Sequence, residues 1–134
     1  MTFRIALLGV VAAAICFSPT HPTFAQRMAE KHIRSHAEMG QTVRIRGHVN
    51  YEHNCSEVIP TTISVIHVPQ HGTLDVRNEN VRATDPDLGY GSKCAGVGGG
   101  GKGVYYTRTG QGADSFAYDS ISGNGVVHLH VIVQ

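Results

Sequence analysis

The chain has 134 residues, with 11 Lys and Arg against 10 Asp and Glu, 9 His and 3 Cys. That length allows one core of ordinary size. The balanced charge excludes the basic stripe of a nucleic-acid binder and the polybasic cluster of a membrane anchor.

Ile5 to Phe17 is an uncharged apolar block preceded by Arg4. As a helix it would rise about 20 Å, short of the ~30 Å hydrocarbon core of a bilayer. Ser18-Pro19-Thr20-His21-Pro22 breaks a helix after it, and Thr23-Phe24-Ala25 places small residues at the −3 and −1 positions of a cleavage site. These features predict a signal peptide over residues 1–25 and an exported product, periplasmic or extracellular. Cys16 follows Ile15, where a lipid-attachment site wants a small residue, so a lipoprotein is not predicted. No later run is apolar and long enough to span a bilayer, so no membrane span is predicted. Arg4 and Cys16 leave with the peptide, so the remaining charge is balanced and two cysteines, Cys55 and Cys94, remain. A pair of metal thiolates lacks CxxC spacing, and free thiols do not suit export. An oxidising compartment makes the pair read as a disulfide.

Gln26 to Gly40 holds helix formers and ends in Gly, which predicts a short helix or a mobile arm over 26–40. From residue 41 the period becomes two. Val43, Ile45, Gly47 and Val49 alternate with Arg44, Arg46, His48 and Asn50, a half-buried strand with His48 on its polar side. Tyr51 to Pro60 reads as a polar loop. Thr61 to Val68 is β-branched and stops at Pro69, which cannot donate to a ladder. A strand follows from Thr73 to Arg77, with a weaker one over Asn80 to Ala83, and Thr84 to Gly103 reads as a Gly-rich loop. Val104 to Arg108 and Asp114 to Asp119 are the next strands. Ser122-Gly123-Asn124-Gly125 signals a hairpin, because such residues accept the positive φ of tight turns. In the last strand Val127, Leu129, Val131 and Val133 share one face, and His128 and His130 the other. Short strands separated by turn signals predict an all-β sandwich over 41–134.

Residues 60–134 carry a pattern that resembles bacterial cadherin-like and Ig-like repeat domains. Val68-Pro69-Gln70-His71-Gly72-Thr73-Leu74 is similar to their P-x-H-G-T-[LV] turn. Tyr105-Tyr106-Thr107, then Gly112-Ala113-Asp114-Ser115-Phe116-Ala117-Tyr118, is similar to their YTP…GxDSFxY segment, with Arg108 in place of the Pro. The resemblance implies a small antiparallel sandwich. Pro69, His71, Gly72, Tyr106, Gly112, Asp114, Phe116 and Tyr118 would then be scaffold residues: Gly72 for a sharp turn, Asp114 for a corner, the aromatics for the core. It also implies use as a spacer or ligand-binding module, and not a reaction. The chain departs from tandem-repeat members by its single copy, its cysteine pair and its Gly-rich segment.

Gly96 to Lys102 spells GxxxxGK, but Gly103 stands where a phosphate loop needs Ser or Thr, and a strand rather than a helix follows. The run reads as a flexible connection between strands. Asp85, Asp87 and Asp114 do not make a calcium-loop spacing, and no nucleophile or metalloprotease motif is present. No catalytic residue and no cofactor are expected. No metal site is expected either. The candidates for one are His128 and His130, two apart on a strand, with His48 as a third ligand for copper or zinc. The reading is an exported, non-enzymatic binding or structural module of the cell envelope, its partner an unknown protein or envelope glycan. The alternative is a small copper- or zinc-binding protein using the His-x-His strand.

Overall fold

The computed structural model describes residues 28–82 and 93–134. The expected signal peptide and the carboxylates Asp85 and Asp87 lie outside them. The described residues are all-β: β1 (Met28–Ser35), β2 (Thr42–His48), β3 (Asn50–Tyr51), β4 (Val58–Ile59), β5 (Thr62–His67), β6 (Gly72–Arg82), β7 (Gly98–Arg108), β8 (Asp114–Ser122) and β9 (Gly125–Val133). A four-stranded sheet in the order β1-β9-β8-β5 packs on a three-stranded sheet in the order β2-β7-β6, with β3 and β4 as a small hairpin beside them. All pairings are antiparallel except that of β1 with β9, which is parallel.

The core lies between the two sheets in this sandwich-like arrangement. Val104 and Tyr106 of β7 meet Phe116 and Tyr118 of β8 and Val127, Leu129, Val131 and Val133 of β9. Strand periodicity puts every second residue of β8 and β9 inside. The Phe116 ring stacks between Tyr106 (centroids 5.7 Å apart) and Tyr118 (6.3 Å), so one aromatic file crosses from sheet to sheet. Offset aromatic pairs of this kind add about 0.5–1.5 kcal/mol beyond their buried area. Cys55 and Cys94 form the disulfide, which joins the β3–β4 hairpin to the segment before β7.

Three expectations are corrected. Met28–Ser35 is a strand, not a helix or an arm. Ala29 and Ile33 pack against the core from it. Their i, i+4 spacing lies on one face of a helix and on one face of a strand alike, so spacing could not separate the two. A segment this short cannot hold a helix by propensity alone, and pairing along the whole of β9 decides the outcome. The Gly-rich run is likewise not a loop: Gly98 to Gly103 pairs continuously with Arg77 to Arg82. The missing side chains let a third strand in, since a Cβ on Gly101 would stand 2.3 Å from the His48 backbone oxygen. The polar loop over 51–60 contains the β3–β4 hairpin. β1 lies along β9 and forms the edge of the four-stranded sheet.

Candidate functional site

Two constellations stand out, one buried and one exposed. The buried one is built around Asp114, at the start of β8. Its Oδ1 accepts from the backbone N–H of Gln70 and of Ser115, and its Oδ2 from the N–H of His71, each at 2.9 Å. The Tyr106 hydroxyl lies 2.9 Å from the same Oδ2 and 3.1 Å from the His71 carbonyl oxygen. Burial pushes the Asp114 carboxyl up, but the four hydrogen bonds outweigh it and hold the group below the usual carboxylate range. Burial, with the Asp114 carboxylate beside it, pushes the Tyr106 phenol up to about 12.

The remaining motif residues serve the same corner. Pro69 leads into the Gln70–His71 turn that Asp114 clasps. Gly72 supplies space rather than a sharp bend: a Cβ there would stand 2.2 Å from the Tyr106 ring. Gly112 adopts a φ of 95°, a conformation side chains resist. Arg108 is buried, and its Nη1 donates to the Gly112 carbonyl at 2.5 Å while its backbone pairs with Gln41 and Gly40. Sequence reasoning assigned Arg108 no role. Its one signal was the departure from Pro at that position.

On the outside of the three-stranded sheet, Arg44 donates to Glu79 Oε1 through Nη2 at 2.6 Å and Nε at 2.8 Å, and the Tyr105 hydroxyl donates to Oε2 at 2.6 Å. Burial raises the Glu79 carboxyl, but these donors win and hold it low. Arg77 stacks over the Tyr105 ring at 4.2 Å. These side chains link β2, β6 and β7 across the face.

The outer face of the four-stranded sheet is different. His128 and His130 point away from the core, and β1 brings His32 and Glu30 beside them: His32 pairs with His130, and Glu30 with His128. The His32 and His130 rings stack with centroids 5.1 Å apart, and His128 meets His130 edge-on at 4.6 Å. Glu30 Oε1 lies 3.4 Å from His32 Nε2 and 3.2 Å from His130 Nε2. His128 Nδ1 is hydrogen-bonded to Asp119 on β8. A shallow groove of about 340 Å³ runs alongside, bounded by His32, His130, Ser115 and His67.

His48 does not join this face. The β2–β7 register shifts between Arg44 and Arg46, so one residue is bulged and the faces of β2 exchange. His48 is thereby buried at 2% exposure, with Nε2 2.9 Å from the Tyr118 hydroxyl. Its place as a third ligand beside His128 and His130 is corrected. His32 and Glu30, which the sequence reading passed over, stand there instead. Their signal was the period-two pattern of Glu30, His32 and Arg34, hidden within a stretch of helix formers. No protein-family model, curated protein or solved structure matches the chain.

Proposed function

We propose that the chain is an exported, non-enzymatic binding or structural module of the cadherin-like or Ig-like sandwich class, working in the periplasm or outside the cell. The observation that carries this reading is the commitment of the motif to architecture. Asp114, Tyr106, Gly72, Phe116 and Tyr118 are all engaged in clasping the β5–β6 turn or filling the core. The strand order supports the class. Sheets β2-β7-β6 and β9-β8-β5 follow the B-E-D and G-F-C orders of a seven-stranded Ig-like sandwich, while β1 lies beside β9 and not in the sheet of β2. The Cys55–Cys94 bond supports export, since such bonds persist in oxidising compartments. No helix among the described residues is long and apolar enough to cross a membrane. The partner, a protein or an envelope glycan, meets the outer face of the four-stranded sheet, where polar side chains and a groove remain open.

Cell fractionation with N-terminal sequencing tests the reading. The expected product lies outside the cytoplasm, begins at Gln26 and has no alkylatable thiol. A cytoplasmic product that begins at Met1 with reduced Cys55 and Cys94 refutes it.

A further inference from the structure

The β1–β9 face gathers Glu30, His32, His128 and His130 at paired positions of two adjacent strands. One carboxylate oxygen, Glu30 Oε1, stands between two imidazole nitrogens, at 3.4 Å from His32 Nε2 and 3.2 Å from His130 Nε2. Two ligand atoms bound tetrahedrally to one zinc ion at about 2.0–2.1 Å stand about 3.3 Å apart. The observed separations are those of hydrogen-bonded ion pairs, and they equal the spacing of ligand atoms on one metal, to which the stacked His32 and His130 rings would have to turn. A second, independent feature lies one step along β9. The hydrogen bond from His128 Nδ1 to Asp119 is the carboxylate–histidine arrangement that fixes a ring and presents its other nitrogen to a metal. With the His128 and His130 rings in edge contact, that ring borders the same cluster.

We propose that Glu30, His32 and His130, with His128 as fourth ligand and Asp119 orienting it, bind one divalent transition-metal ion, Zn²⁺ or Cu²⁺. Imidazole suits these ions, whereas Ca²⁺ and Mg²⁺ take oxygen ligands. Among the described residues no group of three or more His, Cys, Asp or Glu side chains is placed to hold a metal ion as the side chains stand, so binding requires these side chains to reorient. The backbone does not have to move, because the pairing of β1 with β9 holds the four Cα positions in register. The side chains do move, and the two on β1 have room to: His32 is 73% and Glu30 60% exposed. The parallel strand pair is thus what assembles the ligands. The inference rests on this side-chain geometry and not on export or on any partner, so either reading can fail without the other.

Calorimetric titration of the purified, untagged protein with ZnCl₂, and separately with CuSO₄, is the test. The expected result for at least one ion is one site per chain with a dissociation constant tighter than about 10 µM, a level above what scattered surface histidines reach. His32→Gln and Glu30→Gln each weaken it at least about tenfold, as loss of a ligand does. His36→Gln, at an exposed histidine off the cluster, leaves it unchanged. Thermal melts in EDTA establish that each variant is folded, and Glu30→Gln, at an exposed edge position, serves if a histidine variant is not. A Co²⁺-loaded sample supplies a second readout: intense visible bands of a tetrahedral ligand field, lost in His32→Gln. Binding weaker than about 10 µM for both ions overturns the proposal. So does binding that Glu30→Gln and His32→Gln leave intact, or that His36→Gln weakens equally.

Discussion

Replacing Asp114 by Asn changes one charge and almost no volume, and the structure sets the cost. The carboxylate accepts three backbone N–H bonds and faces the Tyr106 hydroxyl. In the carboxamide, Oδ1 still accepts from Gln70 and Ser115, but each bond loses its charge assistance, roughly 0.5–1 kcal/mol apiece. The NH₂ group then faces the His71 N–H, donor against donor. Tyr106 can turn to accept from the NH₂, but the half-buried His71 N–H has lost its acceptor, a cost of about 1–3 kcal/mol. The total is about 2–5 kcal/mol, which lowers the melting temperature by roughly 10–30 °C in a domain of this size. The folded-state carboxyl is held low, so its stabilisation is complete above the unfolded-state value near ~3.9 and is lost as pH falls through the folded value. The gap between wild type and Asp114→Asn is therefore full at neutral pH and closes in acid. Tyr106 has the opposite sign. Raised to about 12 in the fold from about 10 unfolded, it stabilises fully below the lower value, and that contribution is lost as pH rises through the higher. Urea melts of Asp114→Asn, Tyr106→Phe and the double variant at several pH values make the assay. A neutral-pH loss under about 0.5 kcal/mol for Asp114→Asn, or a gap that persists unchanged in strong acid, would falsify the account of this corner.

Replacing both Cys55 and Cys94 by Ser removes a cross-link between residues 39 apart in sequence, and the expected loss is about 2–4 kcal/mol in chemical denaturation; an unchanged midpoint speaks against it. Gly101→Ala and Gly100→Ala form a matched pair within β7. The first puts a Cβ 2.3 Å from a backbone oxygen of β2 and the second meets nothing within 4 Å, so Gly101→Ala should cost about 1–3 kcal/mol by overpacking. Gly100→Ala should be neutral or slightly stabilising. Equal midpoints for the two variants would remove the close approach of β2 as the reason for glycine there.

The parts of the fold legible in the sequence are those where one strand lies between core and solvent. The alternation Val127, Leu129, Val131, Val133 against His128 and His130 needs only the two-residue period and the cost of burying polar groups, and the structure has those faces. The all-β class and the cysteine pairing were readable for similarly local reasons: β-branched strands broken by Gly and Pro, and two cysteines beyond the predicted leader. What the sequence could not decide were matters of partner and register. Ala29 and Ile33 fit a helix and a strand equally, until β9 offered β1 a full row of backbone partners. The glycines of β7 carry no side-chain pattern, so only the neighbours β6 and β2 make them a strand. A single bulged residue in β2 exchanges the faces of everything after it and sends His48 into the core. The same logic governs the candidate metal ligands. Glu30 and His32 meet His128 and His130 only because the two ends of the described chain lie side by side. Strand periodicity says which way a side chain points, but hydrogen bonds between distant strands decide what it points beside.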